Sequence, residues 1–295
     1  MRALVTGSGG QLGQALRLGA PPEVTVRAVT HAELDIADDV AVRSLVREVR
    51  PTIVINSAAY TRVDDAETDP TGAERVNAVG PAILARACRE VGAWLLHVST
   101  DYVFDGEQNN PYSSTATPRP LSVYGKTKLA GEVAVRRELP AHSILARTSW
   151  LYSAGHRNFL TRMLQRMKDG EEIRVVCDQI GVPTSAYGLT QALWFLSLRR
   201  ASGIYHWCDS GVASWYDFAV AIAEEGVEFG VLSRVPSIVP VSSSEYSVVA
   251  PRPRYSVLDK RDTEGLLGYR APHWRVSLRE TLHSLALRPA LRRTS

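Results

Sequence analysis

Short apolar runs alternate with stretches of helical spacing along most of the chain. Residues 2–6 read as a strand, 11–18 as a helix and 24–29 as a strand. Residues 39–49 have helical spacing, with Val42, Leu45, Val46 and Val49 on one face. A strand at 52–56 follows, then a long helix at 71–91 whose stripe is Val76, Gly80, Ile83, Leu84, Ala87 and Val91. Next come a strand at 94–98, a helix beginning at Val123 and a strand at 143–146. Strands that are apolar on both faces belong in a parallel sheet covered by helices on both sides. The alternation therefore predicts an α/β fold built on a doubly wound parallel Rossmann sheet. In such a sheet ligands gather at the carboxyl ends of the strands, so the residues following each strand are where chemistry is expected.

The first of those junctions is Thr6-Gly7-Ser8-Gly9-Gly10-Gln11-Leu12-Gly13, with glycines at the spacing Gly-x-x-Gly-x-x-Gly. Glycine permits the positive φ of a tight turn and close backbone approach to a pyrophosphate, and the helix N-terminus offers free N–H groups to the anion. Placed after a strand and before a helix, the motif predicts dinucleotide binding through Gly7, Gly10, Gln11 and Leu12. The acidic residue that usually closes the second strand and holds a ribose hydroxyl is replaced by Thr30-His31, so His31 is expected near the 2′ position, where NADPH and NADH differ. Asp35 and Ile36 are expected to line the adenine.

A second junction, Ser99-Thr100-Asp101, follows the fourth strand, and Tyr124 and Lys128 lie four apart on one face of the next predicted helix. A phenol with a free pKa of about 10 is a poor acid–base group at neutral pH, and a nearby ammonium is expected to lower it. Tyr124 would then protonate a carbonyl oxygen as hydride arrives, with the Thr100 hydroxyl bonded to that oxygen.

After residue 146 the rhythm continues with helix 156–168, strand 173–176 and helix 186–198, then becomes irregular and rich in Pro and Ser, notably at 235–254. This divides the chain into a dinucleotide-binding Rossmann domain, 1–180, with 186–200 packing back on it, and a smaller substrate-binding lobe, 181–295. The 295 residues are 45% apolar and 22% charged, which excludes disordered and low-complexity classes. A net charge of +3 is too weak and dispersed for a nucleic-acid partner. Cys88, Cys177 and Cys208 are an odd, scattered set, which argues against a disulfide scaffold and for a reducing compartment, the cytoplasm. No apolar run approaches the roughly 20 residues of a membrane helix, and the strand at the very start leaves no signal peptide, so no membrane partner is expected. The seven histidines form no metal-spaced pair, His97 reads as a core residue, and no metal site is expected. Asp64-Asp65-Ala66-Glu67 reads as a solvated loop and helix start, and Arg288, Arg292 and Arg293 as a solvated tail.

Together with the Gly7/Gly10/Gly13 turn and Tyr124-x-x-x-Lys128, the segments Asn56-Ser57-Ala58-Ala59-Tyr60-Thr61 and Ser99 to Phe104 resemble the extended short-chain dehydrogenase/reductases. Further segments narrow this: Arg147-Thr148-Ser149-Trp150-Leu151-Tyr152, Asp178 to Ser185, Gly203-Ile204-Tyr205-His206 and Arg252-Pro253-Arg254-Tyr255-Ser256. Through them the chain resembles the dTDP-4-dehydrorhamnose reductase family over almost its whole length. The resemblance implies a catalytic set of Thr100, Tyr124 and Lys128, with Lys128 also holding the nicotinamide ribose. It implies that Ala58, Ala59 and Tyr60 lie along the cofactor, and that Val63, Asp101, Tyr102 and Trp150 border the sugar. Asn77 is expected to order the site through backbone hydrogen bonds, and Arg252 to bind the substrate diphosphate. Some relatives dimerise through a metal held by glutamates, one of them on the first helix; Gln14-Ala15-Leu16 supplies none, so a monomer or a homodimer without bridging metal is expected. The implied activity is NAD(P)H-dependent reduction of a nucleotide-linked 4-keto-6-deoxyhexose. The favoured substrate is dTDP-4-dehydro-L-rhamnose; the alternatives are another nucleotide-linked 4-ketohexose reductase or epimerase, and a non-catalytic subunit of the kind that regulates methionine adenosyltransferase.

Overall fold

A computed structural model describes residues 1–246 and 248–292, with side chains through residue 287. The first half runs β1 (Arg2–Thr6), α1 (Gln11–Leu18), β2 (Thr25–Val29), α2 (Asp39–Val49), β3 (Ile53–Asn56), α3 (Val63–Thr68), α4 (Pro70–Glu74), α5 (Gly80–Val91) and β4 (Trp94–Thr100). It continues with α6 (Val123–Glu138), β5 (Ser143–Thr148), β6 (Leu151–Tyr152), α7 (Phe159–Lys168), β7 (Ile173–Val176), β8 (Ile180–Gly181), β9 (Thr184–Ser185), α8 (Ala186–Arg199) and β10 (Gly203–His206). The last elements are β11 (Ala213–Ser214), α9 (Trp215–Glu228), β12 (Ile238–Val241), α10 (Arg261–Leu267) and α11 (Trp274–Arg292).

Six strands form one sheet in the order β10-β5-β4-β3-β1-β2, and every neighbouring pair is parallel. From β1 the chain adds β2 on one side and then β3, β4, β5 and β10 on the other. The winding thus reverses between β1 and β3, with Thr6 and Asn56 in register at their carboxyl ends. The strands are buried on both faces because helices cover both. Leu12 and Leu16 of α1 meet Leu189, Leu193 and Trp194 of α8 on one face, and Val42, Val46, Ile83, Leu84 and Val135 cover the other. A second core joins α7, α9 and α11 through Leu160, Met163, Phe218, Ile222, Leu278 and Leu282.

Two sequence expectations are corrected here. The chain does not divide once near residue 180. The apolar face of α7 and strand β7, both before that point, pack in the second core, and β10, after it, completes the sheet beside β5. The α8 segment lies on the sheet side, where the Trp194 indole donates to the Leu16 carbonyl at 3.1 Å. The helix expected at 71–91 is split by a π-turn at Arg75–Val79. Pro81 has no N–H to give the Asn77 carbonyl four residues earlier, which loosens the spiral at that point. Gly131 of α6 then approaches that carbonyl so closely that a Cβ would lie 2.1 Å from it.

Among the described residues no helix is long and apolar enough to cross a membrane. Arg293 lies outside the described residues, as do the side chains of Arg288 and Arg292.

Candidate active site

The glycine turn needs its glycines for two separate reasons. Gly7 has φ +73°, and a Cβ there would lie 2.6 Å from the Ala58 backbone nitrogen, which cannot retreat because it belongs to the neighbouring strand's exit. A Cβ on Gly13 would lie 2.3 Å from the Gly7 carbonyl. The turn is held close to the strand ends, and α1 follows Gly10, so no side chain caps its first N–H groups. A Gly7→Ala variant is expected to lose cofactor binding at least about 100-fold, or to fold poorly; titrating reduced cofactor against intrinsic fluorescence and recording a melting curve separates the two.

Two adjoining hollows meet at this turn. One, of about 420 Å³, is lined by Gly7, Gly10, His31, Asp35, Ile36, Ala58, Ala59 and Tyr60. His31 is exposed at its edge, Ile36 is buried beneath, and the Asp35 carboxylate is paired with Arg75. The other, of about 430 Å³, contains Gly10, Gln11, Leu12, Val63, Thr100, Asp101, Tyr102, Tyr124, Lys128 and Trp150. Gly10, Ser57, Ala59 and Thr61 border both, so the two form one trough along the carboxyl edge of the sheet. The wall between them is pinned by two amides. Asn56 Oδ1 accepts from the Ala58 N–H at 3.1 Å, and Asn77 accepts from the Tyr60 N–H at 2.9 Å while donating to the Tyr60 carbonyl at 3.0 Å. Asn77 lies within the π-turn at Arg75–Val79 and is fully buried.

Thr100, Tyr124 and Lys128 come from β4 and α6 and face the same hollow. The Thr100 hydroxyl lies in hydrogen-bond reach of the phenol and donates to Asp101 Oδ1 at 3.1 Å. Lys128 is buried, and its ammonium donates to the Val98 carbonyl at 2.7 Å. Burial lowers the Lys128 pKa to about 8, opposed by the Glu132 carboxylate one turn along α6. The expected depression of the Tyr124 pKa is absent. Burial pushes the phenol up to about 12 and the Thr100 hydrogen bond offsets only part of this, while the lysine's bonds run to β4 and not to the phenol. Tyr124 is thus held as a proton-bearing acid.

On the far side of the hollow, Trp150 stacks on Trp215 with ring centroids 3.6 Å apart and planes 8° from parallel. Trp150 has φ +43°, and a Cβ on Gly181 would fall 2.5 Å from its ring, so the indole is wedged in one orientation. Tyr102 stands edge-on to Tyr124 at 5.6 Å. Asp101 is buried and accepts from Ser256 at 2.5 Å, and burial raises its carboxyl pKa to about 6. Arg252 lines an adjoining hollow and not the one that holds Thr100 and Tyr124. Its guanidinium grips Asp64 through two bonds of 3.1 and 2.7 Å and lines a neighbouring hollow of about 410 Å³ with Arg162 and Arg174. Asp64 is therefore no freely solvated loop residue, and Glu67 likewise accepts the Val123 N–H at 2.8 Å. The two hollows share Phe159 and Trp215 as their common wall.

A family model described as the RmlD substrate binding domain matches residues 1–287. A dTDP-4-dehydrorhamnose reductase of Streptomyces griseus is 43% identical, over 96% of this chain and 94% of its own. This chain belongs to the dTDP-4-dehydrorhamnose reductase family. Two solved structures are similar to it at TM-score 0.90. The reductase of Clostridium acetobutylicum is 36% identical, covering 97% of this chain and 99% of the other. That of Bacillus anthracis, solved in complex with NADP, is 35% identical, covering 96% and 99%.

Residues of this reductase-family chain that sequence reasoning did not single out include Trp215, Phe159 and Glu132. Trp215 opens α9 directly after Ser214, whose hydroxyl and the Asp217 carboxylate form a reciprocal cap. That Ser-x-x-Asp pattern is readable as a helix start, but nothing local says that the next residue stacks on Trp150. Glu132 sits one turn beyond Lys128, and its burial and pairing with Arg147 depend on strand β5 arriving behind α6.

Proposed function

We infer that this protein reduces the C4 keto group of a nucleotide-linked 6-deoxyhexose, dTDP-4-dehydro-L-rhamnose to dTDP-L-rhamnose, with NADPH or NADH as the second substrate. The observation that carries this reading is the convergence of Thr100, Tyr124 and Lys128 in one hollow that continues directly into the glycine turn. The turn suits a dinucleotide because the space a Cβ would fill at Gly7 and Gly13 is taken by backbone, and the uncapped start of α1 presents N–H groups to a diphosphate. A bound reduced nicotinamide supplies the hydride.

The chain's own residues then have distinct tasks. The Thr100 hydroxyl positions the sugar carbonyl oxygen beside the Tyr124 phenol. As charge grows on that oxygen, Tyr124 transfers its proton and the alcohol forms. A phenol whose pKa lies near 12 is fully protonated at neutral pH, which suits it to donate in the direction of reduction. Lys128 holds the ribose next to the nicotinamide. Ala58, Ala59 and Tyr60 keep the cofactor against the sheet edge, with His31, Asp35 and Ile36 at the adenosine end. Val63, Asp101, Tyr102 and Trp150 shape the sugar pocket, where the flat indole covers ring C–H groups. Arg252, with Arg162 and Arg174 in the adjoining hollow, forms the seat for the substrate's diphosphate.

Mixing the purified protein with NADPH and the keto sugar and following the loss of reduced-cofactor absorbance tests this directly. Stoichiometric oxidation to the rhamnose nucleotide is expected. A steady absorbance from folded protein that binds the cofactor would overturn the reading, and tightly held NAD with sugar interconversion would point to an epimerase.

A further inference from the structure

His97 lies at the middle of β4, fully buried, and no step above uses it. Its hydrogen bonds determine where its proton sits. The Ala58 backbone N–H can only donate, and it donates to Asn56 Oδ1, as does the Thr6 hydroxyl at 2.7 Å. The other end of the Asn56 amide, Nδ2, therefore faces His97 Nδ1 at 3.0 Å and must donate to it. Burial, reinforced by the nearby Lys128 charge, holds the imidazole pKa well below its ordinary value, so the ring is neutral. With Nδ1 accepting, the single ring proton is on Nε2. That nitrogen faces Lys128 Nζ at 3.5 Å. An N–H donor is thus aimed at an ammonium, which has three donors and no lone pair; only the neutral amine is able to accept it.

We propose that His97 is a positioning residue for Lys128: oriented by Asn56, its Nε2–H disfavours the lysine ammonium and favours the amine. The groups around Lys128 are few. Tyr124 and Glu132 share its helix, His97 and the Val98 carbonyl come from β4, and the Glu132 carboxylate is itself neutralised by Arg147 of β5. The same amide that orients His97 also holds Ala58 at the cofactor trough, so the lysine's proton and the cofactor wall are joined through Asn56.

The chain has only four lysines, Lys126, Lys128, Lys168 and Lys260, so lysine carbon-13 labelling gives a spectrum in which Lys128 is assigned by its loss in Lys128→Arg. The signal is titrated without cofactor or substrate, so the result stands whether or not the keto-sugar reading does. His97→Asn keeps an acceptor for Asn56 Nδ2 and removes the donor opposite Lys128. The lysine midpoint is expected to rise by about one pH unit or more. His97→Gln extends an amide N–H back toward Lys128 and is expected to restore a midpoint near that of the unaltered protein. In turnover, the fall of kcat/KM at alkaline pH is expected to move with that midpoint, which a merely structural role for His97 would not cause. A midpoint unmoved in His97→Asn, or moved equally in both variants, overturns the proposal. Should His97→Asn not fold, nitrogen-15 histidine spectra of the unaltered protein decide: protonated Nε2 and bare Nδ1 on His97 support the proposal, and the opposite tautomer overturns it.

Discussion

Tyr124→Phe is expected to lower kcat for keto-sugar reduction by about 10²- to 10⁴-fold while leaving the fold and cofactor affinity intact. The substitution removes one oxygen and one proton from a ring that is otherwise packed among Ala66, Ala73, Tyr60 and Tyr102, so the core keeps its shape. What is lost is a phenol whose proton is held in the hollow at neutral pH by burial, beside Thr100. The loss falls on kcat more than on KM because the proton moves only as the carbonyl oxygen gains charge. Steady-state kinetics by reduced-cofactor absorbance, together with cofactor binding by fluorescence, checks both halves of the expectation. Unchanged turnover would remove Tyr124 from the mechanism.

The largest loss of stability is expected at Arg147. Its guanidinium meets Glu132 through Nε at 2.9 Å and Nη2 at 2.6 Å, with both side chains almost completely buried. Ser99 gives the same carboxylate a hydrogen bond of 2.5 Å. In Arg147→Met the carboxylate is left inside the protein with one hydroxyl as partner, which costs about 3–5 kcal/mol. The melting temperature is expected to fall by on the order of 10 °C. Replacing both partners, Glu132→Leu with Arg147→Met, removes the uncompensated charge and is expected to recover most of the loss, because desolvating an ion pair costs nearly as much as its attraction returns. Calorimetry on the single and double variants distinguishes this from a simple packing defect, in which the two losses would add.

Most of the trough was readable before any coordinates. The glycine turn, the exit of β3 and the Thr100 junction each follow a strand, and strand ends in a parallel sheet lie on one edge. Residues more than 40 apart in the chain, such as Gly10, Ser57 and Thr100, therefore meet without further information. Tyr124 and Lys128 needed only the helix period to face the same way. What failed was instructive. The helix at 71–91 has the right stripe, yet Pro81 and the demands of Asn77 widen it. The second lobe could not be bounded by composition, since α7 and α8 are neighbours in sequence and belong to different cores.

The alternation of strands and helices, the cofactor turn and the spacing of phenol and lysine were determined by the sequence alone, because each depends on a short-range period or on glycine's backbone freedom. The pairing of Arg252 with Asp64, the stacking of Trp150 on Trp215, the chain from Asn56 through His97 to Lys128 and the raised pKa of Tyr124 were decided only by the tertiary structure. Those features depend on which distant side chains share a dry interior. Desolvation there sets proton affinities and leaves each buried donor to find whatever acceptor the packing brings.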